Sequence, residues 1–173
     1  ISAALDKPAR FKLELVARCE STNTLLLDAV QQGAPSGSVA ACEEQTAGRG
    51  RRGRSWLSAP GYSLTFSLLW RFSAGLPPPA GLSLATGVAV ARALEGAGAA
   101  GVRLKWPNDI LADGAKLGGI LIETVTAGGR HIAVIGIGLN VRLPRDIAEA
   151  VDVRTGALEN VMPYAPSRNL LLA

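Results

Sequence analysis

Three consecutive segments in the second half of the chain constrain its fold more than anything else in it: VRLKWPND, ILADGAKLGGILIETVT and RHIAVIGIGLNVRL. All are rich in Val, Ile and Leu, and they are joined by Asp113-Gly114 and Gly128-Gly129. Such dipeptides supply the left-handed backbone that tight hairpins require, so the stretch predicts a meander of antiparallel strands. Upstream, FKLELVARCE alternates Phe11, Leu13 and Leu15 against Lys12 and Glu14, a period-2 strand signature. SGSVAACEEQ reads as a short strand, and GYSLTFSLLWRF as another that turns Tyr62, Leu64, Phe66 and Leu68 inward.

Helical patterns interrupt these strands twice. STNTLLLDAVQQG opens on an N-cap residue type and closes in Gly33, which predicts a helix of about ten residues. LPPPAGLSLATGVAVARALEGAGAAG carries Leu82, Ala85, Val88, Ala89, Arg92 and Ala93 at helical spacing and reads as a central buried helix. The tail from Pro144 reads as loop and short helices. Hairpins mixed with a few helices predict an α+β fold, a mixed and largely antiparallel sheet packed with helices, over an alternating parallel one.

With 173 residues, 48% of them hydrophobic, the chain suits one domain, residues 1–173. The net charge of +4 equals the four arginines of QTAGRGRRGRSW (45–56), since the rest of the chain carries 14 basic and 14 acidic residues. So local a charge predicts a site for one small anion rather than a nucleic-acid track. No run approaches the roughly 20 apolar residues of a membrane span. Cys19 and Cys42 lack metal-type spacing and read as free thiols of a reducing, cytoplasmic setting. A start at Ile1 rather than Met reads as a trimmed fragment.

Gly48, Gly50 and Gly53 spell G-x-G-x-x-G, yet neither a helix nor an acidic residue about 20 positions on follows, so a dinucleotide site is not supported. What the stretch offers is planar guanidinium forks for phosphate or carboxylate oxygens on a backbone able to close over a ligand. Repulsion among Arg49, Arg51, Arg52 and Arg54 predicts an open loop without an anion. KWPNDI sets Lys105, Asn108 and Asp109 around a tight Trp-Pro turn, KLGGILIE places Lys116 at the head of an apolar strand, and GIGLN ends another strand in Gly136, Gly138 and Asn140. Each has a plain structural reading too: a polar turn, an edge lysine, a bulge, a helix cap at Ser21. His131 reads as incidental, and no nucleophile–base pair is visible.

Together, STNT, QTAGRGRRGRSW, KWPNDI, KLGGILIE and GIGLNV, in this order and spacing, resemble the biotin–protein ligases over about residues 12–143. The resemblance implies a fold like the catalytic core of class II aminoacyl-tRNA synthetases. It also implies ATP-dependent conversion of biotin to biotinyl-5′-AMP, then transfer to a lysine of a biotin carboxyl carrier protein or domain. ATP and Mg²⁺ are the implied cofactors and biotin the substrate. Ser21, Thr22, Asn23 and Gln45 would read the ureido ring. Gly48, Arg49, Gly50 and Arg51 would close over the biotin carboxylate and α-phosphate, while Gly136 and Gly138 would admit biotin to the backbone. Lys116 would bridge carboxylate and phosphate in the transition state, with Arg51 and Asp109 also catalytic. Arg51, Arg54, Trp56, Lys105, Asn108, Asp109 and Asn140 would serve the nucleotide, Trp56 being equally eligible as a wall of the apolar biotin slot. Asp109 and Asn140 are the implied metal contacts; for Asp109, holding Mg²⁺ and orienting the incoming amine stay open as alternatives. No winged helix precedes residue 12, so DNA is not an expected partner, and the lack of a long apolar run makes a membrane none either; the SH3-like β-domain usual after the core is absent or truncated. The resemblance leaves a homodimer open. A lipoate or octanoate enzyme of the same fold, and more remotely a basic RNA-binding module, are the alternatives.

Overall fold

A computed structural model describes residues 11–150, 153–164 and 166–173. Seven strands form one sheet: β1 (Lys12–Cys19), β2 (Ser38–Gln45), β3 (Ser63–Arg71), β4 (Val102–Lys105), β5 (Asp109–Ala112), β6 (Ala115–Ala127) and β7 (Arg130–Asn140). Their order is β1-β2-β3-β7-β6-β5-β4. Only β1 and β2 run parallel, because the helix α1 (Thr22–Gln31) carries the chain across between them. All other neighbours are antiparallel, as the mixed sheet read from the sequence requires. Both hairpin signals act as predicted: Asp113 and Gly114 have φ of 49° and 72°, Gly128 and Gly129 of 58° and 71°.

The two faces are covered by different helices. On one, Leu26 and Val30 of α1 pack with Ala40, Leu69, Ile132 and Val134. On the other, Leu94 of α2 (Leu82–Gly96) packs with Leu64, Ile120, Ile135 and Ile137. The alternation of Val134 and Ile135 between the two clusters is the two-residue period of a strand buried on both sides. The tail folds back over β2 and β3, where Arg168 at the start of α4 (Arg168–Leu172) meets Glu43 at 2.6 Å. A short helix α3 (Arg145–Glu149) precedes it.

Several sequence expectations need correction. The helix α2 is not central: it lies on the sheet surface, only Gly87 and Leu94 are buried, and Leu84 and Val88 are exposed. Its contact stripe runs through Gly87, Val90, Ala91 and Leu94 rather than Ala85, Val88 and Ala89. Apolar residues all round this helix leave its phase undecided in sequence, and Gly87 decides it: an added Cβ would already touch Leu104 at 3.4 Å. In β1 neither Phe11 nor Leu15 turns inward; Leu15 is 60% exposed. As an edge strand, β1 has a neighbour on one side only. Tyr62 is likewise exposed, whereas β3 buries both of its faces, Leu64 on one and Thr65, Ser67 and Leu69 on the other.

Both cysteines are free. Burial, aided by the neighbouring Cys42 thiol, pushes the Cys19 thiol up to about 12. Among the described residues, no helix is long and apolar enough to cross a membrane.

Candidate active site

The first turn of α1 enters the sheet where β3 carries polar side chains, and a buried neutral nest results. Ser21, Thr22 and Asn23 are all buried, with Asn23 only 3% exposed. Ser21 occupies the N-cap position, but its side chain makes no capping bond. Thr22 donates to Gln45 Oε1 through its backbone N–H at 2.8 Å and its hydroxyl lies 3.2 Å from the same oxygen. The Ser67 hydroxyl lies 2.6 Å from Asn23 Oδ1 and 2.7 Å from Thr22 Oγ1. Asn23 Nδ2 donates to Glu123 Oε2 at 2.8 Å.

Beside the nest runs a strip of backbone that has no side chains on this face. A Cβ at Gly136 would collide with Asn23 Oδ1, and one at Gly138 would come within 2.5 Å of the Trp56 indole. Trp56 also lies over Gly119, next to the Lys116 ammonium. Its indole therefore occupies the strip between nest and lysine, with its Nε1 buried and lacking a hydrogen-bond partner.

Lys116 is held at both ends. Its Nζ lies 2.7 Å from Asp109 Oδ1, each side chain one-quarter exposed. Its backbone is pinned by the segment 154–156: Lys116 N donates to Arg154 O at 2.8 Å and Gly156 N to Lys116 O at 2.9 Å. The buried Asn140 closes this arrangement, its Nδ2 reaching Gly156 O at 3.1 Å and Lys116 O at 3.4 Å. Asn108, after the cis Trp106-Pro107 bond, pairs with the middle of β6, its amide donating to Ile120 O at 2.9 Å and its backbone oxygen receiving Ile120 N at 3.0 Å. Lys105 is exposed on the outermost strand, two positions from β6.

The Gly-Arg stretch is folded rather than open. It forms a small hairpin, with Gly50 N donating to Arg54 O at 2.7 Å and Trp56 N to Gly48 O at 2.8 Å, around a tight turn at Arg51–Gly53. Charge repulsion is offset in two ways that the sequence does not reveal: Arg51, Arg52 and Arg54 are exposed, and Arg49 pairs with Glu123 at 2.8 Å. Arg51 Nη1 reaches towards Asn108 Oδ1 at 3.5 Å. Gly48 admits the returning strand, since a Cβ there would strike the carbonyl of Trp56.

Between this hairpin, the start of α2 and the Trp106-Pro107 turn lies a cavity of about 850 Å³, lined by Arg49, Arg51, Arg52 and Arg54. Neither Lys116 nor the neutral nest lines it; Leu121 and Glu123 of β6 stand at the boundary, touching both cavity and Asn23. The arrangement offers a donor-and-acceptor nest at one end, a side-chain-free strip in the middle, and a lysine and a guanidinium cluster at the other.

Asp109 is engaged by the Lys116 ammonium, Asn140 turns its amide nitrogen to carbonyls, and among the described residues no group of three or more His, Cys, Asp or Glu is placed to hold an ion. Ser67 and Glu123 are the site residues that sequence reasoning missed. The signal available was a polar residue inside an apolar strand, Ser67 in SLTFSLLW and Glu123 in GGILIE.

Residues 15–140 match the model of the Biotin/lipoate A/B protein ligase family. The chain is 44% identical over 127 residues to the bifunctional ligase/repressor BirA of Escherichia coli, covering 73% of this chain and 39% of that protein. It is 40% identical over 164 residues to the biotin–[acetyl-CoA-carboxylase] ligase of Mycobacterium tuberculosis, covering 91% and 59%. The structure of the Aquifex aeolicus biotin protein ligase in complex with biotin and ATP superposes with a TM-score of 0.72 at 31% identity, over 93% of this chain and 65% of that one. The chain thus spans between about two-fifths and three-fifths of the length of these two curated relatives. With a family match that spans most of the chain and relatives of this identity, the chain belongs to the Biotin/lipoate A/B protein ligase family.

Proposed function

We propose that this chain is the catalytic unit of a biotin–protein ligase. It activates biotin with ATP to biotinyl-5′-AMP and transfers biotin to a lysine of a biotin carboxyl carrier protein in the cytoplasm. The observation that carries the substrate assignment is the neutral nest. The buried Thr22, Asn23 and Ser67 and the half-buried Gln45 present donors and acceptors together. A ureido ring, with one carbonyl and two N–H groups, can satisfy both kinds. The dithiolane of lipoate or the methyl end of octanoate would instead leave buried polar groups facing an apolar head, and sites of this kind reject such analogues strongly.

In the first step a biotin carboxylate oxygen attacks the α-phosphorus of ATP, and the bond to the departing pyrophosphate breaks. Both reactants are anions, so the protein's contribution is to hold them together and offset their charge. Lys116 serves this at the end of the glycine strip, where a compact ammonium can follow charge from carboxylate to phosphate. Arg49, Arg51 and Arg54 supply the guanidinium forks, while Gly136 and Gly138 keep the strip open to the valeryl chain. Trp56 moves off the strip to become a wall of the slot. Lys105, Asn108 and Asn140 border the nucleotide. Mg²⁺ would offset the charge of the triphosphate, with Asp109 and Asn140 as the residues that would border it. In the second step the acceptor amine attacks the acyl carbon, AMP departs and the amine loses a proton, giving the amide; Asp109 would orient that amine or help to hold Mg²⁺. No protein nucleophile is needed at either step.

Exchange of labelled pyrophosphate into ATP, with biotin, lipoate or octanoate as the acid, tests this reading. Exchange with biotin is the expected result. Exchange with lipoate or octanoate alone would overturn the substrate assignment.

A further inference from the structure

One carboxylate oxygen joins two parts of the site that are far apart in sequence. Glu123 Oε2 accepts from Asn23 Nδ2 at 2.8 Å and from Arg49 Nη2 at 2.8 Å. Asn23 belongs to the neutral nest and Arg49 to the Gly-Arg hairpin, and neither the fold family's match nor any local pattern assigns Glu123 a part in recognition. We propose that Glu123 is a positioning residue that sets the direction of the Asn23 amide and anchors the first arginine of the hairpin to β6.

The amide argument rests on the chemistry of the groups. An asparagine amide has a donor end and an acceptor end that occupy nearly the same shape. A carboxylate only accepts, so it must face Nδ2, and this turns Oδ1 towards the Ser67 hydroxyl 2.6 Å away. The reversed amide would put oxygen against oxygen at Glu123. Gly136 leaves the room in which the amide lies, since a Cβ there would collide with Oδ1. The Leu121 carbonyl, 3.3 Å from Nδ2, favours the same orientation through a longer bond, and the carboxylate at 2.8 Å adds the charge-assisted bond that fixes it.

The hairpin argument rests on charge. Arg49, Arg51, Arg52 and Arg54 lie within six residues, and the Arg49–Glu123 pair is the ion pair that ties this cluster to the sheet among the described residues. Its side chains are 44% and 29% exposed, so the pair is a modest tether, one that a ligand anion can compete with. Glu123 thus holds the nest in register and the hairpin in place through a single atom.

Limited trypsin digestion combined with calorimetry tests the proposal. Glu123→Gln keeps a carbonyl for Asn23 but adds a competing N–H donor and removes the charge facing Arg49. Nicking at Arg51, Arg52 and Arg54, normalised to cuts elsewhere, should rise about three- to fivefold, in line with an exposed pair. Arg49→Gln should raise nicking at the same three bonds, and the double variant should be no faster than either single, because both remove one interaction. Biotin affinity should fall in Glu123→Gln and fall again in Glu123→Leu, which leaves Asn23 Nδ2 only its longer bond to Leu121 O. Unchanged nicking in folded Glu123→Gln, or additive effects in the double variant, would overturn the tether. Equal biotin affinity in wild type, Glu123→Gln and Glu123→Leu would overturn the amide role. Should the Glu123 variants not fold, Arg49→Gln decides from the hairpin side, and unchanged nicking there counts against the proposal. The choice of biotin as probe rests on the function proposed above, but the digestion does not. Failure of wild-type protein to bind biotin would refute that function and leave the nicking results to judge the tether.

Discussion

The Lys116 ammonium sits 2.7 Å from the Asp109 carboxylate, two groups that the register of β5 and β6 brings together at the end of the glycine strip. Asp109 lies opposite Gly119 in that register, and the Trp56 indole lies over the same glycine beside the lysine head. The lysine arrives pre-oriented, its backbone held by residues 154–156 and its head by Asp109.

Removing Lys116 should therefore slow biotin adenylation more than it weakens biotin binding. Lys116→Ala is expected to cost about 3 kcal/mol in the transition state, roughly a hundredfold or more in rate. Single-turnover rates beside a calorimetric titration separate the two quantities. A loss confined to affinity would reassign Lys116 to ground-state binding.

Asp109→Asn should lower the adenylation rate less than Lys116→Ala, by about tenfold, because it loosens the ammonium without removing it. The double variant should be no slower than Lys116→Ala alone, the sign of two groups acting as one unit. Additive losses would show that Asp109 acts independently of Lys116.

Trp56 should report on ligand entry by its fluorescence. Its indole covers Gly138 and Gly119, the strip assigned to the substrate chain, so biotin must displace it. Biotin is expected to change the emission of the wild type and of Trp106→Phe, and to leave Trp56→Phe unchanged. A response that survives in Trp56→Phe would mean that the indole does not occupy the binding strip.

Gly136→Ala should lower stability by about 1–3 kcal/mol, since the new methyl group meets the buried Asn23 amide and cannot swing away. A denaturant titration measures it. Gly138→Ala meets only the indole edge, and the same titration should show a smaller loss.

The Glu43–Arg168 pair supplies a pH dependence. Arg168 holds the Glu43 carboxyl below its ordinary value, so the folded state favours the charged form. The resulting stability is present above the unfolded carboxyl value of 4.5 and is lost as pH falls through the lower folded value. Wild type and Arg168→Ala should differ in stability at pH 6 and converge as the pH drops well below 4.5. A difference that persists undiminished in acid would assign Arg168 a packing role only.

How far the sequence carried the fold depended on whether each decision was local. Asp113-Gly114 and Gly128-Gly129 specify their own backbone, and both hairpins stand where those residues put them. The helix α1 likewise ends just before Gly33, whose φ is +82°. The phase of α2 was not local: Ala, Val and Leu surround it, and the close approach of Gly87 to Leu104 and Ile120 selects the face. Nor could alternation in β1 show that the strand lies at the edge, where Leu15 has no layer above it. The candidate site was legible through motifs whose residues gather as a group, but the bonds among them were not. Glu123 meets Arg49 and Asn23 across separations of 74 and 100 residues, and no pattern within β6 announces either contact.

The neutral nest stands on regular secondary structure, while the guanidinium groups stand on a hairpin outside the sheet. Under the proposed function, selectivity for the acid's head rests on the sheet and activation of its carboxylate on the hairpin, with Glu123 as the seam between them. Redesign towards lipid-like or synthetic acids would exchange Thr22, Gln45 and Ser67 for apolar residues of matching size and keep Asn23 and Glu123, so that the hairpin's anchor survives for orthogonal protein labelling.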